Sequence, residues 1–307
     1  MKSTIQTETV RYAFLKTIYL NRHFYIMLVP FLLIFITFTV WPVLMTLILS
    51  FTNFNVFENP AFVFWENYIN LFIHDDVFNI ALRNTLVFAL FTGPLSFIIS
   101  MFLAWIINEL PKGIREIMTL IFYAPSISGS VFAVWVLIFD GDIYGFLNSF
   151  LIKFNIINEP VLWLKDTRYM MAVVIIVQLW VSMGTSFLTM RAGFSTVDRS
   201  LIEAGLTDGI RNRWQELWHI TLPSMKPHLV LSVILSITSA FGAEIVATAM
   251  TGFPSTGYAT HTIMHHLRDY GFIRFQRGYA CAIATVLFVI CIMVNKAAQA
   301  LVKRIGK

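Results

Sequence analysis

Few side chains in this 307-residue sequence are suited to chemistry, and they fall into three groups. The first is Glu203–Pro223, reading EAGLTDGIRNRWQELWHITLP, which sets charges of both signs between two apolar runs. A short connection would join those runs, so a long amphipathic segment with a glycine in its middle and a proline at its end is suited to being gripped by a partner. The plainer alternative is a solvated connection. The second group lies inside apolar runs: Glu244, Gln178, Trp180, Trp135 and Tyr123. A carboxylate at membrane depth is costly and by default marks a functional position. Either Glu244 lines a passage or it bonds a neighbouring helix, and the other four either line the passage or pack the core. The third group is His261, His265 and His266, of which the first two stand at i, i+4. That spacing can serve a metal, but no Glu follows His261, so the H-E-x-x-H pattern is missing. No metal site is expected there; the three histidines read as part of an outer loop that is solvated or faces a partner, with a contact for an acidic ligand as the alternative.

The elements that must position these groups are membrane helices. Apolar residues make up 57% of the chain and charged residues 13%, with a mean hydropathy of +0.72, against norms of roughly 45–50% and 25% in soluble domains. Too few charges remain to cover a soluble surface. Apolar runs long enough to cross a bilayer occur at Tyr25–Phe51, Thr85–Asn108, Glu116–Phe139, Tyr169–Ala192, His228–Met250 and Gly278–Leu301. The runs are continuous, as helices require, whereas barrel strands alternate over shorter segments. Prolines within them (Pro30, Pro42, Pro94, Pro125) are tolerated where neighbouring helices satisfy the freed backbone.

Lys and Arg set the expected orientation. With the N-terminus inside, 15 of the 22 basic residues fall on the inner side, including Lys112, Arg115, Arg191, Arg199, Arg211, Arg213 and Lys226. The two long outer loops are acidic, with Glu58, Glu66, Asp75 and Asp76 in one and Asp140, Asp142, Glu159 and Asp166 in the other. Both termini and the Glu203 segment are therefore expected inside. The net charge of +5 reflects this bias and not nucleic-acid binding. The first apolar run is too long for a signal-peptide core and is read as a retained span. Cys281 and Cys291 share the last run and read as small apolar packing residues. No repeat is visible, and Met1–Thr9 is expected to be disordered.

Within the charged segment, Thr196, Asp198 or Ser200 can cap a helix through Leu201, Ile202, Glu203 and Ala204. Gly209 permits a sharp change of direction. A second amphipathic stretch follows with Trp214, Leu217 and Trp218 at helical spacing, and Pro223 and Pro227 end it before the next span. The expected result is two short helices on a glycine elbow.

That segment resembles the EAA loop of permease subunits of binding-protein-dependent ABC importers, whose pattern is EAA, three residues, Gly, nine residues, then I-x-LP. Glu203, Ala204, Gly209, Ile220, Leu222 and Pro223 fill its positions, and Asp208 is typical of the sugar-transporting branch. Gly205 replaces the third letter, and ten residues instead of nine separate Gly209 from Ile220. Trp41-Pro42, Leu49-Ser50-Phe51-Thr52, Asn67-Tyr68, Asn84-Thr85, Ala124-Pro125, Thr251-Gly252-Phe253-Pro254 and Gly278-Tyr279-Ala280 are similar, in order and spacing, to the maltose-type permeases.

The resemblance implies an all-α membrane protein of six transmembrane helices with the type I ABC importer permease fold and cytoplasmic termini. Residues 1–23 form a cytoplasmic tail and 24–307 the permease domain, with a core at about 81–298 and the coupling loop at 193–227. It implies transport of a sugar or oligosaccharide, or of another small solute such as glycerol phosphate. The implied partners are a dimeric ATPase gripping the loop with Glu203 as main anchor, a second homologous permease, an extracellular or periplasmic solute-binding protein, the solute and membrane lipid. The chain lacks the G-x-x-x-x-G-K-[ST] phosphate loop, so no cofactor is expected and ATP is assigned to the partner. In such a protein Glu244, Gln178, Trp180, Trp135 and Tyr123 would meet sugar hydroxyls and ring faces. A secondary transporter should show ion-coupling charges or inverted repeats, and an intramembrane enzyme paired catalytic groups; neither is evident.

Overall fold

Side-chain caps mark where two of the long helices begin. The computed structural model describes residues 20–128, 132–242, 244–302 and 304; most of the N-terminal tail expected at 1–23 lies outside them. Helix α1 (Arg22–Leu49) has an apolar surface with none of its most apolar stretch buried, and a π-helical turn at Ile36–Val40. Helix α2 (Asp76–Asn108) starts at Asp75, whose carboxylate accepts the Phe78 N–H at 2.8 Å, a side-chain cap of the usual type. Next come α3 (Lys112–Ile127) and α4 (Phe132–Ile138). Asp166 caps α5 (Thr167–Ser195) by accepting the Arg168 N–H at 2.9 Å. Helix α6 (Arg199–Thr207) lies in the charged segment, followed by α7 (Lys226–Phe241), α8 (Glu244–Thr251), α9 (Ile263–Arg268) and α10 (Arg277–Val302). The described residues contain no strand, only an isolated antiparallel bridge between Thr52 and Phe62.

Four helices, α1, α2, α5 and α10, are each long and apolar enough to cross a membrane. The other two expected spans are interrupted. The third is shared between α3 and α4, with 129–131 outside the described residues. The fifth ends at Phe241 and restarts at Glu244. Gly242 supplies the stop, since the glycine's backbone freedom weakens a helix interior.

The main core gathers α2, α5, α7 and the charged segment. Ile107 of α2, Phe187 and Met190 of α5, Leu229 of α7, and Leu217 and Leu222 from the segment are all buried together. Small polar residues let the helices approach: Ser186 hydrogen-bonds Ser232, Ser236 donates to Ser186 at 3.0 Å, and Ser100 donates to the Met183 carbonyl at 3.4 Å. Such contacts are common between membrane helices. The bundle therefore has two distinct ends. One holds the charged segment and the turn after α2. The other holds Asp75, the loop Ser50–Phe62 and the three histidines.

Candidate functional site: the coupling loop

The charged segment folds as two short helices around an elbow. Of the three cap candidates Asp198 serves, accepting the Ser200 N–H at 3.0 Å. Its carboxyl is held below the usual carboxylate range by that backbone bond. Helix α6 ends in a Schellman arrangement: Ile210 N–H reaches the Gly205 carbonyl at 3.0 Å and Gly209 N–H the Leu206 carbonyl at 3.3 Å. Gly209 takes φ +99° at the turn, a conformation that disfavours any side chain. Asn212 then caps the second half, accepting the Gln215 N–H at 2.8 Å. That half runs as Arg213–Glu216, a π-helical turn at Leu217–Thr221 and Leu222–Ser224, before a bend of 84° into α7. Pro227 sits in the first turn of α7, where the missing N–H costs nothing, whereas Pro223 follows the π-helical turn directly and the run ends one residue later at Ser224.

Both departures from the EAA pattern have a structural counterpart. Gly205 is buried inside an unbroken α6; a Cβ there would overlap Ile220 Cδ1 and sit 3.0 Å from Ile210 Cδ1. The glycine therefore seats Ile220 against α6. The extra residue falls in an interval that runs into a π-helical turn at Leu217–Thr221, which holds one more residue than an α-turn. Along the loop, Glu203, Ala204 and Asp208 are exposed, whereas Leu217 and Leu222 are each 1% exposed. The first half thus leaves its charges accessible while the second half is rooted in the core. A cavity of about 480 Å³ separates α6 from the bundle and is lined by Trp105, Glu109, Arg115, Arg199, Glu203 and Arg213.

The candidates within the spans are only partly brought together. Trp135 and Trp180 meet edge to face at 5.4 Å, and Trp135 stacks on Phe139 at 5.8 Å. Tyr123 lies beside Gly184, one turn beyond Trp180 on α5; a Cβ at Gly184 would come 3.4 Å from its ring and overlap Ser126. Gln178 points to a different face and donates to Ser239 at its carbonyl (3.2 Å) and hydroxyl (3.1 Å). That ties α5 to α7. Glu244 is not an isolated carboxylate at depth: it opens α8 at the span's break and pairs with Arg268 Nη1 at 3.0 Å.

The histidines depart from expectation. His261, His265 and His266 are 3%, 2% and 2% exposed, not solvated. Their rings pack with Phe253, Tyr258 and Tyr270, which makes burial favourable, and partners hold His265 and His266. The His265 Nδ1 accepts the Thr262 N–H at 3.1 Å and its Nε2 donates to Thr248 at 3.1 Å. Asp75 gathers three donors: His266 Nε2 and Tyr279 hydroxyl at 2.9 Å each, and the Phe78 N–H. Burial raises the Asp75 pKa, but the His266 bond and then the Phe78 N–H outweigh it and hold the carboxyl at about 2. Burial, reinforced by neighbouring charge, pushes His261 down to about 4 and His265 to about 3. Among the described residues no group of three or more His, Cys, Asp or Glu is arranged to hold a metal. Only the N-cap position of Asp75 carried a sequence signal for this network; its partners lie about 190 and 200 positions away.

Residues 96–307 match the family described as "Binding-protein-dependent transport system inner membrane component". The chain belongs to that family. It is a multi-pass membrane permease. It is 32% identical to "Probable ABC transporter permease protein YesP" of Bacillus subtilis (strain 168), over 87% of this chain and 85% of that one. It is 28% identical to the "Arabinooligosaccharides transport system permease protein AraP" of the same organism, over 88% and 85%. Among solved structures, a chain of a "bacterial alginate ABC transporter in complex with alginate pentasaccharide-bound periplasmic protein" superposes with a TM-score of 0.75 at 22% identity, covering 95% of this chain and 98% of that one. The shared fold is that of type I ABC importer permeases.

Proposed function

We propose that this permease is the membrane subunit of an ABC importer for a sugar or oligosaccharide, without an ATPase site of its own, driven by a separate ATPase that grips the loop. The observation that carries this reading is the loop's construction. Glu203 is exposed on a capped, rigidly terminated helix, and the half that follows is seated in the bundle core. A partner pulling on α6 would thereby pull on the bundle. The loop end would face the cytoplasm, as the Lys and Arg distribution requires. The expected partners are a pair of ATPase subunits, a second permease and a solute-binding protein, the last supported by the periplasmic protein in the alginate assembly. The sugar class is supported by AraP and by the "Lactose transport system permease protein LacF" of Rhizobium radiobacter, 27% identical. A phosphorylated small solute is the second reading, favoured by the 25% identity to an "sn-glycerol-3-phosphate transport system permease protein UgpA". The Trp135–Trp180 pair, with Tyr123 near Gly184 one turn further along α5, offers ring faces for the sugar.

The test is to purify the tagged chain gently from its native membrane and identify what accompanies it. An ATPase and a second permease should appear, and both should be lost in Glu203→Arg while the chain itself stays at its normal level. A chain that purifies alone would overturn the reading.

A further inference from the structure

The loop joins α5 to α7, yet its firmest side-chain contacts beyond the core are to a third helix. Trp214 lies 5.0 Å from the Trp105 ring and 5.9 Å from Phe102, both on the last turns of α2. Arg213 Nη2 meets Glu109, the residue after α2, at 3.1 Å, while its Nη1 meets Glu216 at 2.8 Å. Just below, Leu217 and Leu222 are buried in the cluster that contains Ile107 of α2. Over a hundred positions separate these partners in the chain, so nothing local forces them together.

From this geometry we infer that Arg213 and Trp214 are positioning residues that latch the coupling loop to α2, so that movement of the loop carries α2 with it. The inference rests on the reading that an ATPase grips the loop. The two contacts differ in weight. Arg213 and Glu109 are both substantially exposed, so their attraction is screened and weak. The ring contacts, between Trp214 and the half-buried Trp105 and Phe102, carry most of the hold, since aromatic pairs add to the apolar area they cover. Trp214 itself remains half exposed, as a latch at a moving joint requires. The first half of the loop reaches this latch through the Gly205–Ile220 seat, where the absent Cβ allows direct contact. A path therefore runs from α6 through Ile220 to the rooted half and on to the end of α2. A loop acting through α5 and α7 alone would lack this branch.

The experiment uses the whole complex isolated with its partners, with Cys281 and Cys291 replaced by Ala. Nitroxides are placed at Ile106 on α2 and Arg211 on the loop, both exposed, and their separation is measured by pulsed electron paramagnetic resonance. Spectra are taken without nucleotide and after trapping with ATP and vanadate. A latched loop gives one distance in both conditions. Trp214→Ala should add a second population on trapping, displaced by about 2 Å or more, the scale of helix shifts at moving interfaces, with the ATPase still co-purifying. Trp214→Phe should restore the single distance, which a loss of general stability would not allow. If W214A behaves like its parent on trapping, the latch is wrong. Should W214A fail to accumulate, Trp105→Ala opens the same contact from α2 and is read the same way. Absence of any ATPase from the parent complex would instead sink the reading under Proposed function.

Discussion

The two ends of this permease are held by different physics. At the histidine end, buried polar groups are held by a hydrogen-bonded network: Asn67 donates to the Ser50 and Thr52 carbonyls at 2.8 Å each, Asn84 to the Tyr258 and His261 carbonyls at 2.9 and 3.0 Å, and Asp75 accepts three bonds, while the His261 ring is held by packing alone. At the loop end, packing of Leu217 and Leu222 is supplemented by exposed ion pairs and half-exposed rings. Breaking a buried polar network leaves unsatisfied groups at about 1–3 kcal/mol each, whereas an exposed ion pair is worth about 0–1 kcal/mol. A frame and a joint differ in this way: one end resists rearrangement and the other permits it.

Two glycines break this comparison most sharply. Gly278 has an ordinary backbone, but a Cβ would overlap the Thr52 carbonyl oxygen and stand 2.9 Å from Phe54 N, and main chain cannot swing aside. Its own N–H donates to the Phe54 carbonyl at 2.7 Å. Gly278→Val should cost several kcal/mol, on the order of 3 or more, and abolish accumulation of folded protein. Gly209 is the reverse case: open space surrounds it, and the obstacle is φ +99°. Gly209→Ala should cost about 1–2 kcal/mol, leave the protein folded, and weaken recovery of the ATPase. Size-exclusion profiles and thermal unfolding in detergent check both. Equal profiles for the two variants would erase the distinction between frame and joint.

The same contrast marks what the sequence made legible. The coupling loop was readable because its determinants are local: a cap at Asp198, a glycine at 209, prolines at 223 and 227, and charges within one segment. The spans were readable for the same reason, each being a continuous apolar run. The break before Glu244 was missed because the run stays apolar across it, and Gly242, where the helix stops, is one glycine in an apolar stretch. The histidines were misplaced because their burial depends on Asp75, Phe253 and Tyr270, residues no periodicity connects to them. The Trp214–Trp105 contact was invisible likewise: each tryptophan alone reads as a surface or core aromatic.

Acid should loosen the frame before the joint. His261 and His265 are depressed to about 4 and 3, so an unfolded chain takes up protons below pH 6.5 that the folded one refuses. Stability is therefore lost as pH falls from about 6.5 toward 4, by at most about 2 to 3 kcal/mol per ring. His266 and Arg268 oppose a charge there, while Asp75 and Asp269 favour it. Asp75 acts lower: its stabilising effect is present above its ordinary value near 3.8 and disappears between there and about 2. Hydrogen exchange should show amides of 259–268 losing protection between pH 6.5 and 4.5, ahead of those at 199–224. His261→Gln should flatten that slope. Uniform loss at both ends would contradict the assignment.

The smallest effect is expected at Glu244, and it decides whether that carboxylate belongs to the frame or to the passage. Glu244 is largely shielded but its partner Arg268 is about half exposed, and Arg268 also lies 5.4 Å over the Phe253 ring. A pair so exposed on one side contributes about 0–1 kcal/mol. Glu244→Gln keeps the shape and one acceptor for the Arg268 guanidinium, so folded protein should persist with a melting shift of a few degrees at most. If the carboxylate serves only the frame, Arg268→Gln should produce the same shift, and the double variant should add nothing to either single change. If it meets the solute, E244Q should raise the solute concentration needed for half-maximal uptake while R268Q does not. The ion pair predisposes to the first outcome, because a carboxylate already neutralised by Arg268 has less to offer a sugar hydroxyl. An E244Q variant with altered solute selection and an unchanged melting curve would move Glu244 from the frame into the passage, beside Trp180 and Trp135.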